Sequence, residues 1–156
     1  MKILAENKKA YYNYEILEKF DAGISLFGQE VKSLKERGIN LAGSYVVLKQ
    51  STEGRHTEVF WIGAKIFPYQ PRNIGASYNP ERSRKLLLKK SEIKYLIGES
   101  RQKGLTFIPL KIYTIRSSKI KLEFAIAKGK RKFDKRELIK KREIEREIRR
   151  TLKEKS

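Results

Sequence analysis

The sequence predicts a mainly β fold: a small, closed antiparallel barrel with peripheral helices, carrying a basic C-terminal tail. Short β-patterned segments recur along the chain without the strand–helix–strand rhythm of a parallel sheet. The length of 156 residues suits one core and is short for two large domains. Composition breaks near Lys128, beyond which 14 Lys or Arg stand against 6 Asp or Glu and few large apolar residues remain. The division is therefore a body over residues 1–127 and a basic tail over 128–156.

In chain order, Tyr14 to Phe20 has β-forming aromatics and near-alternating apolar positions, with Leu17 off register, and Asp21-Ala22-Gly23 predicts a turn or bulge before Ile24, Leu26 and Phe27. Gly28 to Arg37 reads as a short helix, with Val31 and Leu34 three apart and Gly38 as its stop. Tyr45 to Leu48 and Glu58 to Ile62 read as neighbouring antiparallel strands whose polar connection turns at Glu53-Gly54. Pro68, Pro71, Gly75 and Pro80 interrupt Phe67 to Asn79, a long loop and a candidate binding surface. Pro80 suits a first helical turn, so Glu81 to Lys90 is expected to be helical, followed by a second helical segment, Glu92 to Glu99, capped by Ser91 and ended by Gly98 or Gly104. Thr106 to Ile115 and Lys119 to Ala127 are strands separated by Arg116-Ser117-Ser118. In the second, Ile120, Leu122, Phe124 and Ile126 alternate with Lys119, Lys121, Glu123 and Ala125, which predicts one buried and one wet face. Closing so small a sheet removes its edges, and the five-strand oligonucleotide-binding barrel is the nearest architecture, so the body is expected to be OB-fold-like.

In the tail, a helix from Asp134 to Lys155 aligns Ile144, Ile148 and Leu152 on a thin stripe with Leu138 beside it. So narrow an apolar face predicts a segment poorly ordered alone and helical on a polyanion, with packing on its own body or a second subunit as the alternative. Ahead of it, Ala127 to Lys132 is a basic linker followed by Phe133, either an aromatic suited to stacking on a base or a core residue behind a solvated charge run.

The formal charge of +19 makes a polyanion the natural partner, while 39% hydrophobic and 10% aromatic residues are too many for a disordered polycation. There is no Cys for a disulfide, a thiol nucleophile or a cysteine zinc site, and His56 alone builds no histidine cluster. No apolar run has transmembrane or signal-peptide length, and the expected location is the cytoplasm. Glycine phosphate loops, dinucleotide fingerprints, HExxH and nucleophile elbows are all missing, so neither an enzyme, a metal nor a cofactor is expected. What remains is a basic surface. Its densest cluster in the body is Arg72, Arg82, Arg84, Lys85, Lys89 and Lys90, and Lys2, Lys8 and Lys9 add an N-terminal one. Tyr11, Tyr12, Tyr45, Trp61 and Tyr69 are stacking candidates or core aromatics, with Trp61 placed in the core. Glu30, acidic among cations, is either a surface helix pair or, functionally, an acceptor for a base amino group or an orienter of Lys32 or a nearby arginine.

A series of motifs then falls into place: Asn7-Lys8-Lys9-Ala10, Ala22-Gly23-Ile24, Gly28 to Leu34, Ser44-Tyr45, Pro80 with Arg82, Arg84 and Lys85 to Leu88, Ala127 to Lys130, and Asp134-Lys135-Arg136. In this order the chain resembles the SmpB, or SsrA-binding protein, family, over roughly residues 5 to 150. The resemblance implies an OB-like barrel that binds the tRNA-like domain of transfer-messenger RNA, takes the place of its missing anticodon stem, and helps the alanyl-charged RNA, with elongation factor Tu, enter a stalled ribosome. It further implies that Asn7, Lys8, Lys9, Glu30, Lys32, Arg82, Arg84 and Lys85 belong to the RNA-binding body and that Leu88 shapes the surface meeting the RNA's elbow. Lys128, Lys130, Arg131, Lys132, Phe133, Asp134, Lys135 and Arg136 are implied at the decoding site, against small-subunit RNA. Many relatives have His where Phe133 stands; the phenyl ring preserves stacking and removes the ring nitrogens. Composition alone also fits a ribosomal or translation-factor-like RNA binder, an RNA hydrolase whose carboxylates meet in space, and, last, a membrane-surface tail. If about six to ten of the cations meet phosphates, raising salt from 50 to 200 mM lowers RNA affinity by roughly 10³–10⁵, which a titration series measures directly.

Overall fold

The structure, a computed structural model, describes residues 1–69, 78–116, 119–130 and 142–151. In order these form Lys2–Glu6 (β1), Lys8–Asn13 (α1), Tyr14–Ile24 (β2), Gly28–Arg37 (α2), Tyr45–Gln50 (β3), Thr57–Ile62 (β4), Arg84–Leu87 (β5), Lys90–Ser100 (α3), Leu105–Ile115 (β6) and Lys119–Gly129 (β7). Residues 142–151 are helical and exposed. All strand pairings are antiparallel, and the order β6-β3-β4-β5-β2-β7 returns to β6, so six strands close a ring. β1 lies outside the ring on β6. The length of β6 allows this: Phe107 faces Val46 of β3, while Lys111 to Thr114 face β1.

The sixth ring strand is β5, which replaces the helix expected over Glu81 to Lys90. Arg84 and Leu86 point inward while Lys85 and Leu87 point out, a period of two that pairing with Val59 to Trp61 of β4 selects over the helical period. The following helix begins at Lys90 rather than after Ser91, because Glu92 Oε1 accepts the Lys89 N–H at 3.0 Å. It passes through Gly98 to Ser100, and Gly104 serves the turn into β6 with φ +82°. Asp21-Ala22-Gly23 is not a turn, since β2 runs straight through it; the bulge lies between Ile16 and Glu18, at the off-register Leu17. At Gly23 the strands approach closely, and a Cβ there would stand 3.3 Å from Leu87 Cβ, a tight contact. β1 and α1, of 5 and 6 residues, are too short to leave a periodic signal and were not expected.

The core fills the barrel around Trp61, Phe124, Leu86, Ile112 and Leu122, with Leu34 of α2 and Leu96 of α3 closing it. A smaller cluster, Ala10, Ile108, Leu110, Ala125 and Ala127, sits beneath α1. The face of β7 predicted to be wet is therefore dry at its C-terminal end, because α1 covers it. β7 also extends two residues past the compositional boundary, with Lys128 opposite Glu15 and Gly129 opposite Tyr14. Phe124 is fully buried and stacks on Phe20 at 5.5 Å. Replacing it with Ala is expected to cost about 3–5 kcal/mol in urea unfolding.

Candidate nucleic-acid interface

Glu30 lies in the first turn of α2, and its carboxylate is buried. Oε1 accepts the Phe27 N–H at 2.9 Å and Arg82 Nη2 at 2.6 Å; Oε2 accepts Arg84 Nε at 2.6 Å. Arg84, fully buried on β5, also donates to the Ala64 carbonyl at 3.0 Å and the Pro80 carbonyl at 2.8 Å, and its guanidinium lies 5.7 Å from the Trp61 ring. Burial pushes the Glu30 carboxyl up, but the Phe27 amide and the two guanidiniums outweigh it and hold the group below its ordinary range. Glu30 and Arg84 are thus spent on each other inside the protein. Arg82, more exposed, reaches outward from the same carboxylate and donates to the Ser25 carbonyl at 3.1 Å. Lys32, two residues after Glu30, is exposed and 5.9 Å from the Tyr69 ring.

Asn7 is the second internal staple. It precedes α1, yet its side chain does not cap that helix; Nδ2 donates to the Pro109 carbonyl at 2.9 Å, and its own N–H to the Leu110 carbonyl at 2.7 Å. Pro109 has no N–H for the ladder, so β6 bulges between Pro109 and Lys111, and Asn7 binds at that irregularity. This sets α1 on the sheet and leaves Lys8 and Lys9 exposed. Lys130 ties down the same helix, donating its N–H to the Asn13 carbonyl at 3.0 Å and its Nζ to the Tyr11 carbonyl at 3.1 Å.

The expected residues thus gather in two groups, one around α2 and β5, the other around α1 and the root of the tail. Lys85 is exposed and 3.7 Å from Glu58. Leu88 lines an open groove of about 670 Å³ with Leu86, Leu87, Ile93 and Ile97, rimmed by Lys85, Lys90 and Lys94. Lys128 is exposed at the end of β7. Arg131, Lys132, Phe133, Asp134, Lys135 and Arg136 lie outside the described residues, as does Arg72. Trp61 is core, its indole N–H on Ser44 Oγ at 3.1 Å. Sequence reasoning passed over Phe27 and Phe67, both more than half exposed beside a cation. A signal for Phe27 existed: an aromatic stands at the N-cap position that Ser, Thr, Asp or Asn ordinarily takes. Among the described residues no group of three or more acidic or His side chains gathers to hold a metal, and no helix is long and apolar enough to cross a membrane.

A helix-flanked closed antiparallel barrel with so many exposed cations belongs to the OB-like class of oligonucleotide-binding architectures. Within that class the chain is a member of the SmpB family, matching SmpB protein over residues 4–154. It is 49% identical over 153 residues to an SsrA-binding protein of Thermosipho africanus, covering 98% of each chain. With that of Caldicellulosiruptor saccharolyticus it shares 49% over 154 residues, 99% of this chain and 92% of the relative. A solved chain described as "tmRNA-SmpB: a journey to the center of the bacterial ribosome" superposes with a TM-score of 0.65 at 38% identity, over 86% of this chain and 93% of that one.

Glu30→Gln leaves two guanidiniums without their counter-charge and is expected to lose about 3–5 kcal/mol of stability at pH 7. Because folding depresses this carboxyl from its ordinary 4.5, its stabilisation is complete above that value and fades as pH falls through the folded one. The gap between wild type and variant, read by urea melts from pH 7 to pH 3, should therefore narrow in acid.

Proposed function

We propose that the chain is a non-enzymatic adaptor that binds the tRNA-like domain of transfer-messenger RNA and delivers it to stalled ribosomes for trans-translation. The observation that carries this reading is the near end-to-end match to the SmpB family, with relatives named for SsrA binding. The barrel's charge supports it, since so basic a surface suits a phosphate backbone.

In this reading the body, residues 1–127, holds the RNA and stands where an anticodon stem would be. Lys32, Arg82 and Lys85 meet phosphates from one side, and Lys8 and Lys9 from α1. Asn7, Glu30 and Arg84 act as positioning residues, because their polar groups are already engaged inside the protein. Leu88 shapes the groove that faces the RNA's elbow. The tail, residues 128–156, works at the decoding site of small-subunit RNA: Lys128 and Lys130 at its root, then Arg131, Lys132, Phe133, Asp134, Lys135 and Arg136 along it. In this reading its folding is completed there; the helical stretch 142–151 leaves Ile144 and Ile148 exposed, which suits a helix awaiting a surface. The cargo is the alanyl-charged RNA with elongation factor Tu, and the setting is the cytoplasm.

Equilibrium binding at a fixed, near-physiological salt concentration tests the proposal. Clear preference for the tRNA-like domain over an elongator tRNA with an intact anticodon stem is expected; equal, steeply salt-dependent binding would overturn it. Deleting residues 131–156 is expected to spare that binding and abolish tagging in a reconstituted translation assay. Equal loss of both would sink the division of labour between body and tail.

A further inference from the structure

We infer that Phe27, backed by the Arg82 guanidinium, is a stacking platform for an unpaired RNA base. The inference rests on the RNA-binding reading above and adds a contact to it.

Phe27 is 62% exposed where α2 begins, three residues before the buried Glu30. Its ring is not loose. The Arg82 guanidinium carbon stands 4.2 Å from the ring centroid, so one face is covered by a cation that Glu30 and the Ser25 carbonyl hold in place. Arg82 Nε is buried without a hydrogen-bond partner. The guanidinium therefore keeps an orientation that leaves a donor unmet while lying on the ring.

The same pairing recurs next to it. Lys65 Nζ lies 5.5 Å from the Phe67 ring, itself 55% exposed, and Lys32 Nζ lies 5.9 Å from Tyr69. Ser33 Oγ donates to the Phe67 carbonyl at 2.5 Å, which fastens this strip to α2. An aromatic face with cations at its back and sides suits a nucleotide, whose base stacks while its phosphate neutralises the charge. An apolar protein partner would have to bury those cations uncompensated.

The test uses the full chain and the tRNA-like domain of transfer-messenger RNA. Trp61 is the one tryptophan and is buried, so Phe27→Trp adds a single exposed indole. Binding should quench the added indole in step with occupancy, and a blunt RNA duplex without unpaired bases should not. Phe27→Leu keeps an apolar contact for Arg82 but removes the π face. It should weaken binding by about fivefold or more with little change in melting temperature. No quenching, equal quenching by the duplex, or a Phe27→Leu variant that binds like wild type would each overturn the platform. Wild type failing to prefer the tRNA-like domain would instead overturn the function on which it rests, so the two failures are distinguishable.

Discussion

A carboxylate taken out of water must find its counter-charge inside the protein, and Glu30 finds two. Arg84 comes from β5, Arg82 from the turn before it, and the Phe27 amide from the start of α2. Since Arg84 also satisfies the Ala64 and Pro80 carbonyls, one ion pair fixes a helix, a ring strand, the segment after β4 and a proline turn. A hydrophobic pair of similar volume would leave the Ala64 and Pro80 carbonyls without the donors that Arg84 supplies. The barrel closes through β5, so the charge pair bears on the whole ring and on the outward aim of Arg82 and Lys32.

The two sides of the body follow one design. A polar side chain that looks like an RNA ligand in sequence is turned inward and makes its neighbours available. Glu30 does this for Arg82 and Lys32. Asn7 does it for Lys8 and Lys9, by occupying the place on β6 where Pro109 breaks the ladder. Charged groups that stay outside keep their long side chains hydrated, whereas the groups that position them are desolvated once, during folding.

Much of this architecture was legible. Strict alternation gave away β7, the turn at Glu53-Gly54 gave the β3–β4 hairpin, and Gly38 marked the end of α2. Arg84 to Leu87 misled because a short apolar run with flanking cations fits either period, and only its partner β4 decides. The burial of Glu30 and Arg84 could not be read, because their meeting depends on residues 54 positions apart. Nor could the drying of β7, which requires α1, an element too short to announce itself. The Leu17 irregularity was visible but assigned no meaning, and the bulge in β2 sits there.

Ring closure also constrains when the fold can exist. β7 pairs with β2 from Tyr14↔Gly129 to Gly23↔Lys121, so the last ring strand to be synthesised must return to the first. Until then β2 and β6 lack the strand that joins them, although Arg84, made earlier on β5, can already meet Glu30. Loop-closure entropy is lost before these distant pairings reward it, which places such topologies among the slow folders, in the millisecond-to-second range. Late in synthesis, then, the chain is a partly assembled polycation with open strand edges, and closing the ring hides those edges.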